Sequence, residues 1–281
     1  MDISPAVMLA VLAAALLHAG WNALLKASPD KDLEIAALAL SRGTLALLAL
    51  PWVAAPAAAS LPWIVASVAV HVLYFWALAG AYRYGDLSFT YPIMRGGAPV
   101  LVTLVGVALL GEVLSWQEAG AVALICVGII AFASRPSGAA APARQALLFA
   151  LGNALVIAGY TLIDSLGVRI SGSAAGYAIW LMLANSVVQA AIGLAARGRA
   201  VTGYATQHWR RVLVGGFFTL CSYPIVLWAM TRAPVALVAV LRETSVLFAA
   251  VLGALFLGER FTPRRLVATG AVLAGLMALR L

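Results

Sequence analysis

The chain has 281 residues, of which 64% are hydrophobic and 10% are charged, and its formal net charge is +8. Soluble domains are about 45–50% apolar and about 25% charged, so this composition excludes an ordinary soluble fold, whose surface must meet water. The positive charge does not indicate nucleic-acid binding, because the basic residues stand singly or in pairs between apolar runs and not in one stripe.

Ten apolar segments follow one another along the chain, separated by short stretches that are polar or contain proline or glycine. A helix that spans a membrane needs about 20 mostly apolar residues. The segments lack the apolar–polar alternation of strands in a membrane barrel. We therefore predict an all-α polytopic membrane protein with about ten transmembrane helices. The predicted helices comprise residues 6–25, 33–53, 61–81, 87–110, 116–133, 145–166, 174–196, 212–230, 234–257 and 266–279.

The two halves of the chain are related in sequence. A shift of 147 residues places Arg95 on Arg242 and one Leu-Gly-Glu triplet on another, and a shift of 139 residues places Trp21 on Tyr160. Because each predicted repeat has five helices, the second copy must enter the membrane with the opposite orientation, a plan common among secondary transporters. The predicted domains are a first repeat at 1–134, a linker rich in Pro, Gly, Ser and Ala at 135–144, and a second repeat at 145–281.

Segments 91–130 and 235–276 share a helix rich in Pro or small residues, then Leu-Gly-Glu, a short turn and a glycine-bearing helix. This pattern resembles the repeat of the EamA family, in the drug/metabolite transporter (DMT) superfamily, and the resemblance covers essentially the whole chain in two copies. It implies a ten-helix fold and the movement, usually export, of small organic metabolites. The sequence departs from the family in the loop 54–60, where members more often carry basic residues. The glutamates of the two triplets, Glu112 and Glu259, are expected to be structural.

The sequence contains no phosphate-binding loop, no His-Glu-x-x-His motif and no cluster among its three histidines. We therefore predict no catalytic residue, no metal and no cofactor, and we expect a transporter rather than an enzyme. The alternative is a non-transporting membrane protein: a lipid-handling protein, a membrane enzyme or an assembly subunit. The expected partners are the lipid bilayer and a small-molecule substrate, with no nucleic acid. We expect a monomer or homodimer in the bacterial inner membrane.

Some of the ionisable residues in the predicted helices lie at membrane depth: Arg42, Arg95, Asp164, Arg242 and Glu243. A charge at the centre of an isolated membrane helix costs about 2.5–3.5 kcal/mol on insertion scales, so such residues face the protein interior and are functional candidates. We predict that Arg95 or Arg242 binds an anionic or zwitterionic substrate, such as an amino acid derivative. Arg42 is a further candidate contact. We predict that Glu243, with Asp164 as the second choice, carries a coupling proton.

The alternative to these roles is structural. The two matched arginines could be salt-bridge anchors between the halves, and Glu243 could form a permanent pair with an arginine. Neighbouring helix positions diverge by about 100°, so we expect Arg242 and Glu243 not to share one contact surface. Other predicted substrate contacts are aromatic or polar side chains within helices, although aromatic residues near helix ends also mark the membrane interface. These residues are Trp21, Asn22, His71, Tyr91, Tyr160, Trp180 and Tyr223.

Basic residues are concentrated in the loops that follow odd-numbered predicted helices. The positive-inside rule places these loops in the cytoplasm and both termini outside. The family resemblance implies the opposite, since members usually have cytoplasmic termini. The two expectations disagree, and we retain the orientation given by the charges.

Overall fold

The computed structural model describes residues 3–84, 87–133, 144–257 and 262–279. Every regular element in these ranges is helical, with short 3-10 turns at Leu50–Trp52 and Ala58–Ser60. The prediction of an all-α protein is therefore confirmed. The helices are α1 (Pro5–Lys26), α2 (Lys31–Ala49), α3 (Leu61–Tyr84), α4 (Leu87–Leu109), α5 (Trp116–Ala131), α6 (Arg144–Ile170), α7 (Ala174–Arg197), α8 (Arg199–Gln207), α9 (Trp209–Met230), α10 (Val235–Glu243), α11 (Ser245–Leu257) and α12 (Pro263–Ala278).

Eight segments within the described ranges are long and apolar enough to cross a membrane. They comprise α1, α2 with the turn after it, α3, α4, α6, α7, α9, and α10 together with α11. Large apolar side chains such as Leu104 and Leu155 point outward from them and are exposed, as lipid contact requires. The apolar helices α5 and α12 have 16 residues each, which at 1.5 Å per residue is shorter than the hydrocarbon core of about 30 Å. The chain is thus a multi-pass membrane protein.

Two parts of the structure differ from the sequence prediction. The segment 197–211, expected to be a polar loop, contains α8, which buries Val201 and Tyr204 and exposes its polar residues. The predicted helix 234–257 is interrupted between α10 and α11 at Thr244, whose hydroxyl donates to the carbonyl oxygen of Leu241 at 2.7 Å. Threonine side chains compete in this way with regular helix hydrogen bonds. The interruption leaves Glu243 at the end of α10.

The halves of the chain are packed against each other along their whole length. The most extensive helix pairings each join the first half to the second: α3 with α6, α2 with α7, α5 with α12, α1 with α9, and α4 with α6. Side chains buried in the centre of the protein therefore lie at the seam between the halves.

Two glycines bring α5 and α12 close together. A Cβ atom on Gly128 would lie 2.8 Å from Cγ2 of Val272, and a Cβ atom on Gly275 would lie 2.5 Å from Cγ1 of Ile125. The shift of 147 residues relates Gly128 to Gly275 and Ile125 to Val272. The two contacts are therefore reciprocal: Gly128 of α5 contacts Val272 of α12, and Gly275 of α12 contacts Ile125 of α5. Small residues at such crossings allow the close packing on which membrane helices depend.

Alanine substitution at either glycine should destabilise the protein, because the added methyl group must displace the facing helix. We expect Gly128→Ala and Gly275→Ala each to cost about 1–3 kcal/mol, the usual range for overpacking. Gly120 on α5 and Gly270 on α12 have nothing within 4 Å of a built Cβ atom, so Gly120→Ala and Gly270→Ala are matched controls. Thermal unfolding in detergent measures the effect. Equal melting temperatures for the two sets would contradict this account of the packing.

Candidate functional site

Two arginines and one glutamate meet at the centre of the protein. Arg95 on α4 and Arg242 and Glu243 on α10 are 5%, 4% and 0% exposed. Nε of Arg95 lies 2.6 Å from one carboxylate oxygen of Glu243, and Nε and Nη2 of Arg242 donate to the other at 3.1 Å. Arg242 and Glu243 thus do share a contact, contrary to expectation, because the long arginine side chain turns back at the end of α10.

The arginines are matched between the repeats, but the glutamate is not. Gly96 follows Arg95 at the position where Glu243 follows Arg242. A Cβ atom on Gly96 would lie 2.6 Å from Cγ1 of Ile130, so the packing of α4 on α5 leaves no room for a second carboxylate. One negative charge therefore serves two guanidinium groups.

His18 on α1 lies beside this cluster, between two hydrogen-bond donors. Its Nδ1 is 3.3 Å from Nε1 of Trp21 and its Nε2 is 3.1 Å from Nη2 of Arg95. A neutral imidazole has a single acceptor nitrogen, whereas indole and guanidinium groups only donate. The ring can accept from Trp21 or from Arg95, but not from both. Ser245 Oγ, 3.4 Å from the same Nη2, is a weak second acceptor, so Arg95 keeps donor capacity for a ligand.

Aromatic rings surround the charged cluster. The guanidinium of Arg95 lies 5.8 Å from the ring centre of Tyr91, and that of Arg242 lies 5.9 Å from the ring centre of Tyr160. His71 stacks on Tyr160 at 4.3 Å, and Tyr223 contacts the same ring edge-on at 6.5 Å. The structure thus brings four of the predicted contacts together around the arginines: Tyr91, His71, Tyr160 and Tyr223.

Asp164 on α6 is fully buried and is bound by hydroxyl groups. Its Oδ1 accepts from the hydroxyl of Tyr177 at 3.0 Å and its Oδ2 from that of Tyr223 at 2.5 Å. The hydroxyl of Ser67 is a third donor. Tyr223 therefore belongs both to the hydroxyl shell of Asp164 and to the aromatic shell of the arginine cluster.

Arg42 on α2 points away from lipid, since it lies opposite the exposed stripe that contains Leu47 and Leu48. Its Nε donates to Ser186 Oγ at 2.8 Å and its Nη2 to Gln189 Oε1 at 3.0 Å. Both acceptors are neutral, and no carboxylate of the described chain pairs with it. Both acceptors lie on α7, so the guanidinium joins the first half of the chain to the second.

The structure places two of the predicted substrate contacts, Trp180 and Asn22, outside the arginine cluster. Trp180 is 40% exposed on the same helix face as Val187, which is 61% exposed, and this outward stripe does not approach the cluster. The amide of Asn22 donates to the carbonyl oxygen of His18 at 2.7 Å, within its own helix. Trp21 reaches the cluster only through His18.

The two ends of α9 carry ion pairs that join the halves. At its start, Glu34 pairs with Arg211 at 3.3 Å and accepts from the hydroxyl of Tyr204 at 2.6 Å, and burial raises the pKa of Tyr204. Beside them, Arg197 pairs with Asp30 at 2.6 Å. The pKa of Asp30 is lowered, chiefly because its carboxylate accepts from the backbone N–H of Leu33 at the start of α2, and then by Arg197.

At the far end of α9, Glu112 binds the start of α10. Its two carboxylate oxygens accept from the backbone N–H groups of Val235 at 2.6 Å and Ala236 at 3.2 Å, where the helix dipole favours negative charge. Arg169 lies 3.7 Å from the same carboxylate, and a surface cavity of about 440 Å³ opens between them. This geometry confirms the structural role predicted for Glu112. Glu259 lies outside the described residues.

Sequence reasoning missed the partners that hold these side chains: Ser67, Tyr177, Ser186, Gln189 and Ser245. All five are common residues in apolar helices, and their roles depend on which helices pack together. No group of three potential metal ligands occurs among the described residues.

Fold and site together define a polytopic helical membrane protein with buried charges at the seam of two halves. Residues 144–281 match the EamA-like transporter family. This match places the second half of the chain in a family that is part of the drug/metabolite transporter superfamily. A solved structure described only as "Crystal structure of protein" is similar over 98% of this chain and 96% of that chain, with a TM-score of 0.71 and 16% sequence identity, and therefore shares the fold. No curated protein matches the chain.

Replacing Glu243 should strongly destabilise the protein, because two buried guanidinium groups lose their shared counter-ion. Removing one partner of a buried ion pair costs about 3–5 kcal/mol, and we expect Glu243→Gln to fall in this range in thermal or denaturant unfolding. The double variant Arg95→Gln/Glu243→Gln should be less destabilised than the sum of its single variants. Additive effects of the two substitutions would show that the 2.6 Å contact is not an energetic pair.

Proposed function

We propose that the protein is a secondary transporter that exports a small organic metabolite with an anionic group, including zwitterions such as amino acid derivatives. The observation that carries this proposal is the surplus of buried positive charge at the seam. Arg95 and Arg242 share one glutamate, and Arg42 has only neutral partners. Buried charge without a counter-ion is costly, so a substrate anion would find a preformed site. The family match of the second half favours this function over a non-transporting role.

Recognition would rest on guanidinium geometry. The planar fork of an arginine can donate two parallel hydrogen bonds to a carboxylate or phosphonate. The adjoining rings of Tyr91 and Tyr160 offer apolar faces for the rest of the molecule. We propose as substrate contacts the members of the predicted set that face the protein interior: Trp21, Arg42, His71, Tyr91, Arg95, Tyr160, Tyr223 and Arg242. Trp180 and Asn22 are not part of this set, because the first faces outward and the second binds within its own helix.

We further propose that the chain forms ten spanning helices in two inverted five-helix repeats, at 1–134 and 145–281, joined by the linker 135–144. One observation supports a twofold relation between the halves: the reciprocal glycine contacts of α5 and α12. The short helices α5 and α12 would complete the ten by packing on each other where the bilayer is locally thinned. We propose the bacterial inner membrane as its location and a monomer or homodimer as its state.

Alternating access would follow from rocking of one half against the other around the central site. The ion pairs at the two ends of α9 support this mechanism, because Arg211–Glu34 and Arg169–Glu112 both connect the halves. Opening one end would require only that end's pair to separate. The cycle also needs an energy source, and we propose a proton carried by one of the two buried carboxylates, Glu243 or Asp164.

Arginine-to-lysine substitutions test substrate recognition, since lysine keeps the charge and loses the fork. We expect Arg42→Lys, Arg95→Lys and Arg242→Lys to reduce transport well before they reduce stability. The assay is uptake into proteoliposomes of a labelled panel of amino acids and other small carboxylates, and the control is Arg232→Lys, an exposed arginine beside Trp228. Normal transport in all three variants would exclude these arginines from recognition, and failure of all three to fold would favour a salt-bridge role.

Orientation is tested with single cysteines in a background in which Cys126 and Cys221 are replaced by alanine. Ala55 lies in the exposed stretch between α2 and α3, and Thr202 is exposed on α8. The distribution of basic residues predicts that Ala55→Cys reacts with an impermeant maleimide on intact cells and that Thr202→Cys reacts only after permeabilisation. The reverse pattern would place the termini in the cytoplasm, as the family resemblance implies.

A further inference from the structure

We propose that Asp164 is the residue that binds and releases the coupling proton, and that Glu243 is a permanent counter-ion. This inference rests on the proposed function and reverses the order of the two carboxylates suggested by the sequence. It follows from the partners of each carboxylate. The partners of Glu243 are charged and can only donate a hydrogen bond, whereas the hydroxyl groups around Asp164 are neutral and can donate or accept.

Glu243 is paired with two cations. One of its oxygens accepts from Nε and Nη2 of Arg242 at 3.1 Å, and the other lies 2.6 Å from Nε of Arg95 as an ion pair without hydrogen-bond geometry. Guanidinium groups only donate hydrogen bonds and stay protonated. A proton on Glu243 would therefore leave two buried cations without a counter-ion, which is costly.

Asp164 has partners that tolerate both of its protonation states. Tyr177 and Tyr223 each present a hydroxyl group to it, at 3.0 and 2.5 Å, and Ser67 presents a third. A hydroxyl group donates to a carboxylate but can also accept from a carboxylic acid after rotating about its C–O bond. The proton can therefore bind and leave when the hydroxyl groups rotate, and no charged side chain loses its counter-ion.

The groups around Asp164 come from four of the helices that pack on α6. They are Ser67 on α3, Tyr177 on α7 and Tyr223 on α9, all neutral, and Arg242 on α10, which acts at longer range and without a hydrogen bond. His71 on α3 is turned to its own helix and to Tyr160. Arg95 on α4 is engaged by Glu243. No cation of the described chain forms an ion pair with Asp164.

The same geometry connects the proton to the substrate. Tyr223 binds Asp164 and contacts the ring of Tyr160, over which Arg242 lies. A substrate anion on Arg242 would displace or reorient these rings and change the number of hydroxyl donors on Asp164. Since each hydroxyl donor favours the charged carboxylate, substrate binding and proton binding would be coupled through Tyr223.

Infrared difference spectroscopy of the lipid-reconstituted protein tests the proton site without any substrate. A pH change should produce a protonated carboxyl band in the wild type that is lost in Asp164→Asn and retained in Glu243→Gln. If Glu243→Gln does not fold, Arg95→Gln/Glu243→Gln replaces it. Tyr223→Phe, which removes one donor, should shift the band's titration toward higher pH. A band lost with Glu243 and retained in Asp164→Asn, or no titrating band in the wild type, would overturn the proposal.

Transport separates this inference from the proposed function. With any compound of the carboxylate panel that the wild type transports, Asp164→Asn should retain counterflow exchange and lose accumulation driven by a pH gradient. Unchanged gradient-driven accumulation in Asp164→Asn would refute the role of Asp164 and leave the transporter intact. If the wild type moves no compound of the panel, the proposed function fails, whereas the infrared result still decides whether Asp164 binds a proton.

Discussion

The architecture of the interior depends on one carboxylate that holds two guanidinium groups. Glu243 joins Arg95 of the first half to Arg242 of the second, in a protein whose exterior is apolar. An unpaired charge is costly at this depth. Pairing through Glu243 therefore links the end of α10, the position of α4 and the seam between the halves. His18, Tyr91 and Tyr160 surround this cluster, which carries more positive than negative charge.

The relation between the halves is nearly symmetric in packing and asymmetric in chemistry. Small residues at matched positions pack reciprocally, as Gly128 and Gly275 do. Charged positions diverge, because Glu243 corresponds to Gly96. Symmetric packing lets two similar halves move against each other, whereas a site that recognises a small, asymmetric molecule needs different groups on its two sides. The structure combines both requirements at one seam.

The two buried carboxylates illustrate how environment assigns roles to identical groups. Glu243 is surrounded by cations and Asp164 by hydroxyl groups, and pairs of titratable groups in contrasting surroundings often divide electrostatic and proton-carrying tasks. Tyr160 and Tyr223 connect the two regions. Under the proposed coupling, a change of partner at one region would reach the other through Tyr160 and Tyr223.

The sequence by itself determined that the chain is a helical, multi-pass membrane protein and which family it resembles, because apolar run length and the repeated Leu-Gly-Glu pattern are local properties. It also identified Arg95, Arg242, Glu243 and Asp164, since a charge inside an apolar run is conspicuous. It could not determine their partners. Ser67, Tyr177 and Gln189 do not stand out in the sequence. Trp180 and Trp21 both lie in apolar helices, and only the helix packing shows that Trp180 faces outward. α8 was missed because its amphipathic face is only nine residues long. Only the tertiary structure decided that Glu243 is bound by cations and Asp164 by hydroxyl groups, because partners on different helices are set by which helices meet.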